Sequence, residues 1–192
     1  MSPKREPLPL LQVADRAQLR SWLSANGAMS SGVRLAIGKK GRSATSLTYD
    51  EAVEEALAFG WIDSTAGRLD DDRYTVMFVP RKPTSTWART NKARVERLTA
   101  EGRMTPAGFA VIEIAKANGS WNSIDLVEDL VMPEELAAAL AEDPDAQCFW
   151  DELPAGQRKL TFRWIASAKR EETRNRRIAQ AVQAAAEHRR LW

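Results

Sequence analysis

The side chains with most bearing on chemistry are those the chain nearly lacks. His188 is the only histidine and Cys148 the only cysteine, so a zinc site built from such ligands, or a Cys–His nucleophile pair, has almost no raw material. A Ser–His–Asp triad would have to draw His188 in from the end of the last helix. No G-x-x-x-x-G-K-[ST], G-x-G-x-x-G or G-x-S-x-G string occurs, which removes the usual phosphate cradles and nucleophile elbow. Asp70-Asp71-Asp72 has the hard oxygen atoms that magnesium takes. Aspartates are also ordinary turn residues, and Arg68 and Arg73 flank the run, so a turn is expected and neither a metal site nor a cofactor is predicted. Cys148 sits beside Phe149 and Trp150 on one helix face and reads as a small buried hydrophobe.

What is left is binding chemistry. Between Arg81 and Arg94 the chain interleaves Arg81, Lys82, Lys92 and Arg94 with Trp87 and Asn91. If Ser85 or Thr86 caps a helix, Trp87, Asn91, Val95 and Leu98 share one stripe and Asn91 points inward, where its amide needs partners. Exposed amides at a helix start favour anions. The expected site is a cleft that accepts a small anion, with Asp63 and Arg73 on the neighbouring strands and Arg81, Lys82, Trp87, Asn91, Lys92 and Arg94 around it. The alternative is a nucleic-acid-binding module using the basic stripe Lys169, Arg170, Arg174 and Arg177. Glu171 and Glu172 give that stripe intrahelical partners, which favours a solvated helix face. An enzyme would have to work with Asp63 or the aspartate run and an arginine, without histidine, so no catalytic residues are assigned.

The elements that must hold these residues are legible from caps and periodicity. Asp15, with Gln18 three residues on, opens a first helix whose apolar face is Leu19, Trp22 and Leu23, and Asn26-Gly27 offers a left-handed stop. Val33, Leu35 and Ile37 alternate as a strand. Thr48 and Glu51 form a capping box before Tyr49, Ala52, Val53, Ala56 and Leu57, and Gly60 ends that helix. A run to Leu69 and a second from Tyr74 to Val79, joined through the aspartates, read as an antiparallel hairpin. Helices follow near 86–101, 106–118, 133–142, 144–152, 154–168 and 171–187. Pro106, Pro133 and Pro144 take first helical positions, and Gly102 and Gly119 mark stops. The fold class is α+β: a small antiparallel sheet, one strand plus a hairpin, packed with helices over residues 1–121, then a helical part over 122–192. Residues 122–132 are the expected hinge.

Composition bounds the rest. The chain has 192 residues, 44% hydrophobic and 28% charged, with a formal net charge of +2, ordinary globular values that do not mark a basic nucleic-acid binder. No apolar run approaches the roughly 20 residues a bilayer needs, no signal peptide is read near Met1, and one cysteine cannot form an internal disulfide. A cytoplasmic location is expected. Seven tryptophans leave room for a protein interface, a homodimer included.

Several ordered strings carry a resemblance: Phe59-Gly60-Trp61-Ile62-Asp63-Ser64, Arg68-Leu69-Asp70-Asp71-Asp72-Arg73-Tyr74, Phe78-Val79-Pro80-Arg81-Lys82, Ser85-Thr86-Trp87, Asn91-Lys92, and, later, Trp164-Ile165-Ala166-Ser167-Ala168-Lys169-Arg170, Glu172-Thr173-Arg174 and Arg177-Ile178. From about Leu8 to Glu187 the chain resembles the bacterial YdeI/OmpD-associated, or bacteriocin-protection, family. The resemblance implies a role in resistance to cationic peptides or envelope stress and brings no catalytic residues. The expected function is that of a non-catalytic accessory protein of such resistance, with an unidentified small anion or a protein as its partner.

Overall fold

A computed structural model of the chain describes residues 8–39, 41, 45–168 and 170–192. It divides into two units, Met1–Trp121 and Asn122–Trp192.

In the first unit, α1 (Arg16–Asn26) starts where the Asp15 carboxylate accepts from the amide of Gln18 at 2.9 Å. The Gln18 side chain reaches back to the amide of Ala14, one residue short of closing a box on the cap itself. Gly27 is right-handed, φ −61°, and its amide continues the ladder to the Leu23 carbonyl, so the expected left-handed stop is absent. α2 (Tyr49–Ala58) has its full capping box between Thr48 and Glu51. Gly60 follows in the left-handed region, φ +77°. A Cβ there would lie 2.8 Å from Val111 Cγ2 and 3.1 Å from the Ala107 carbonyl, so only glycine lets the chain turn this close to its neighbour.

The sheet has four strands, β1 (Leu10–Leu11), β2 (Val33–Gly38), β3 (Trp61–Arg68) and β4 (Arg73–Pro80), in the order β1-β2-β4-β3. The hairpin and the separate strand are as expected; the two-residue β1, parallel to β2, adds to them. Register sets Val33 opposite Phe78, Leu35 opposite Val76 and Ile37 opposite Tyr74, which brings the apolar sets of two half-buried strands onto one face. The pairing shifts between Asp63 and Ala66 on β3, a bulge of the kind that re-aims side chains beside functional sites. Leu35, Ile37, Leu57, Trp61, Trp87 and Leu98 are among the buried residues of one core cluster.

α3 (Arg89–Ala100) starts three residues later than the spacing predicts. Ser85 closes a turn instead of capping a helix: its Oγ accepts from the amide of Lys82 at 3.1 Å and its own amide donates to the Lys82 carbonyl. Ala88 takes the cap position with no side-chain bond. α4 (Pro106–Ala117) is capped by Thr105 with Pro106 in its first turn.

The second unit holds α5 (Asp125–Glu128), α6 (Glu134–Ala141), α7 (Pro144–Glu152), α8 (Ala155–Ala166) and α9 (Glu171–Ala186). α5 lies within the segment expected to be a hinge. Asp143 caps α7 ahead of Pro144, whereas Pro133 is itself the extended cap of α6 rather than its first helical residue. Leu136, Leu140, Trp150, Phe162 and Ile165 are among the buried residues of a second cluster, which shares no residue with the first. Cys148 is exposed, against expectation, because Ala146 and Trp150 supply the buried face of α7. No helix among the described residues is long and apolar enough to cross a membrane.

Candidate ligand-binding site

Arg81 leaves the end of β4 with its amide bound to the Gly60 carbonyl at 3.0 Å. This ties the residue to the glycine turn that ends α2. Only 6% of its surface is exposed. Its guanidinium lies 3.7 Å from the centroid of the Trp87 ring, and Nη1 donates to the Thr86 carbonyl at 3.0 Å. Nε and Nη2 are buried with no hydrogen-bond partner among the described residues. Burial pulls the Arg81 pKa down to about 10, with the charge of Asp63 opposing the fall. A guanidinium offers five donors in a rigid fork and rarely leaves buried ones unmet.

Of the other predicted residues, Trp87 packs on Arg81 and Asp63 acts on its charge. Asp63, half-buried at the start of β3, accepts from the Tyr49 hydroxyl at 2.7 Å. Burial first, then that bond and the Asp63 charge, raise the Tyr49 pKa to about 12. Arg94 on α3 donates to Asp50 at 2.7 Å and to the Asn91 carbonyl oxygen at 3.1 Å. Asn91 is half-buried and its side-chain oxygen is held by a charged neighbour; Trp87 lies before the start of α3 and off the helical stripe that Asn91 shares with Val95 and Leu98. Trp87, 1% exposed, packs on Trp121 at 4.8 Å, and the ammonium groups of Lys92 and Lys116 lie 5.4 and 5.8 Å from the Trp121 ring. Lys82 is exposed.

Arg73 does not join this group. It sits at the far end of β4, where Asp70 accepts from its Nε and Nη2 at 2.9 and 2.7 Å and Gln12 from its Nη1. Eight extended residues span about 25 Å, so Arg73 and Arg81 belong to opposite ends of the sheet. Asp70 also accepts from the amides of Asp72 and Arg73, which makes the aspartate run a turn. No group of three potential metal ligands is assembled among the described residues.

Sequence reasoning missed the densest charge cluster in the unit. Glu54 and Glu55 are buried on α2, Glu55 to 1%. Arg16, Arg20 and Arg103 contact Glu55 at 2.6, 2.8 and 2.6 Å, and Glu54 is bound by Arg16 at 2.7 Å and by Arg97. Two adjacent glutamates set among Ala52, Val53, Ala56 and Leu57 were the available signal. Every carboxylate here has its partners, so the cluster braces α1, α2 and α3 and leaves nothing for a ligand. A cavity of about 890 Å³ beside it is lined by small groups such as Ser21, Ser24 and Ala107; its one charged side chain, Arg20, is already bound to Glu55 and to the Arg103 carbonyl.

The basic stripe of the second unit is largely engaged. Arg174 pairs with Glu135 of α6 at 3.1 Å, not with Glu171 or Glu172. Arg177 donates to Ser167 Oγ and to the Trp164 carbonyl and lies over the Trp164 ring at 5.2 Å. Arg170 is exposed at the cap of α9, and Lys169 lies outside the described residues. Residues 122–192 carry thirteen carboxylates against ten basic side chains, a poor balance for gripping phosphates. His188 stacks on Phe149 at 5.3 Å and makes no side-chain hydrogen bond among the described residues.

Residues 11–111, more than half of the chain, match a family described as Domain of unknown function (DUF8412). The chain belongs to that family. Residues 129–188 match the family described as Bacteriocin-protection, YdeI or OmpD-Associated, which bears out the resemblance seen in the sequence. That match falls on the helical second unit, whereas the strings around Asp63, Arg81 and Asn91 fall within the first family's span. No curated protein and no solved structure matches the chain.

Proposed function

We propose that the protein is a non-catalytic accessory factor of antimicrobial-peptide or envelope-stress resistance whose first unit binds a small anion at Arg81. The family match over residues 129–188 supports the first part, through the words bacteriocin protection. The second part rests on one observation: a buried guanidinium with two donors unmet. Asp63 narrows the ligand. A second negative charge beside the arginine disfavours a doubly charged phosphate and favours a planar monoanion, since a carboxylate accepts two parallel bonds from one guanidinium.

Thermal-shift titration of the full chain tests this, with acetate and longer monocarboxylates, phosphate, sulfate, nucleotides and short nucleic acids at low and moderate salt. A ligand at about 100 times its dissociation constant adds roughly 2.7 kcal/mol. Carboxylates are expected to stabilise the wild type and to leave Arg81→Met unmoved. Because a half-partnered buried charge costs desolvation energy, Arg81→Met itself is expected to melt within a few degrees of wild type or above it. Equal shifts in both proteins, or none in either, would show that only water meets the two donors and would end the proposal. A shift from nucleic acid alone, lost in salt, would move the function to α9.

A further inference from the structure

The second unit has an apolar groove of about 370 Å³ whose walls include Leu126, Val131, Met132, Phe162 and Ile165. Leu126 is 66% and Val131 48% exposed. The backbone that presents them is strained. α5 ends with Leu130 in the left-handed region, φ +55°, where the Leu130 amide donates to the Val127 carbonyl at 3.2 Å and the Val131 amide to the Leu126 carbonyl at 2.9 Å. This is a Schellman ending with leucine in the place normally given to glycine. Its usual hydrophobic contact joins the positions held here by Leu126 and Val131, yet both are left open to solvent at the groove.

Carboxylates predominate in the chain segment that forms one wall of the groove. From residue 117 to residue 157 the chain carries ten carboxylates and no lysine or arginine. Glu134 and Glu135 at the start of α6 line the groove together with Arg174. Glu135 neutralises Arg174 at 3.1 Å, and Glu134 has no ion pair among the described residues. An apolar trough with an unmatched carboxylate at its wall suits a helix that carries apolar side chains on one face and cations beside them. We infer that this groove is a docking site for a cationic amphipathic peptide. It shares no residue with the Arg81 site, so either can fail without the other.

Fluorescence anisotropy of the full chain with a labelled amphipathic lysine/leucine peptide tests this, against a glutamate/leucine peptide of the same pattern and a lysine/serine one. Only the lysine/leucine peptide is expected to bind. Leu126→Ser combined with Val131→Ser, both at exposed positions, should weaken it about tenfold or more, the worth of a buried anchor. Glu134→Lys should weaken it by about threefold at low salt and by less at high salt. Arg81→Met should bind as wild type. Equal binding of the acidic peptide, undiminished binding by the double serine variant, or no binding at low salt overturns the inference. So does a wild-type dimer in sedimentation that the double serine variant abolishes, since a second copy would then be the occupant.

Discussion

At the scale of single residues, Tyr49 and Tyr74 are the only two tyrosines, and both titrate high, Tyr49 at about 12. The folded protein is expected to show less phenolate absorbance near pH 10 than the unfolded chain, which ionises there. Because the folded value lies above the unfolded one, this contribution to stability is complete below pH 10 and lost between about 10 and 12. Asp63→Asn should bring Tyr49 part of the way down, burial being the larger cause. An ultraviolet titration that finds both tyrosines ionising at their ordinary value contradicts the Tyr49–Asp63 geometry. Glu55 gives a sharper effect: Glu55→Ala leaves Arg16, Arg20 and Arg103 without their common acceptor and should cost about 3 kcal/mol, read as a lower denaturant midpoint. The partners of that cluster were illegible in the chain because they lie far away in sequence, while the Thr48–Glu51 box, whose two members stand three positions apart, was plain.

At the scale of elements, the sequence was most readable wherever one local bond decides the outcome. Asp15, Thr48, Thr105 and Asp143 all cap the helices that follow them. It misled where one side chain can serve two local structures. Ser85 is a good helix cap and an equally good turn closer, and the Lys82 amide won it, so that α3 starts only at Arg89. It misled again where distance along the chain stands in for distance in space: Arg73 and Arg81 look adjacent until the strand between them is extended. Gly60 carries the tightest constraint on the site, because its carbonyl holds the Arg81 amide. Gly60→Ala should destabilise by about 2 kcal/mol through its backbone conformation and the contact with Val111, with a loss of carboxylate response in the same titration. Retention of both would show that Arg81 is not positioned by this turn.

At the scale of the whole molecule, the two core clusters share no residue, which sets an expectation for how the chain melts. Calorimetry should find a calorimetric enthalpy larger than the van't Hoff value, as for two cooperative units. Glu55→Ala should lower only one transition. Phe162→Ala, at about 3–5 kcal/mol for a buried aromatic, should lower only the other. One transition that both variants shift together would mean that the units unfold as one. The split also bears on the chain's charge: the excess of carboxylates in residues 122–192 means that the net positive charge resides entirely in residues 1–121.

The stack of Arg81, Trp87 and Trp121 has an optical consequence. Indoles 4.8 Å apart and inclined at 44° are close enough for their excited states to mix, whereas the Trp22–Trp61 and Trp164–Trp192 pairs stand at 88°. Far-ultraviolet circular dichroism should therefore carry an exciton couplet that Trp121→Phe removes. A ligand at the proposed Arg81 site that shifts Trp87 against Trp121 would change this couplet and so report its own binding without a label.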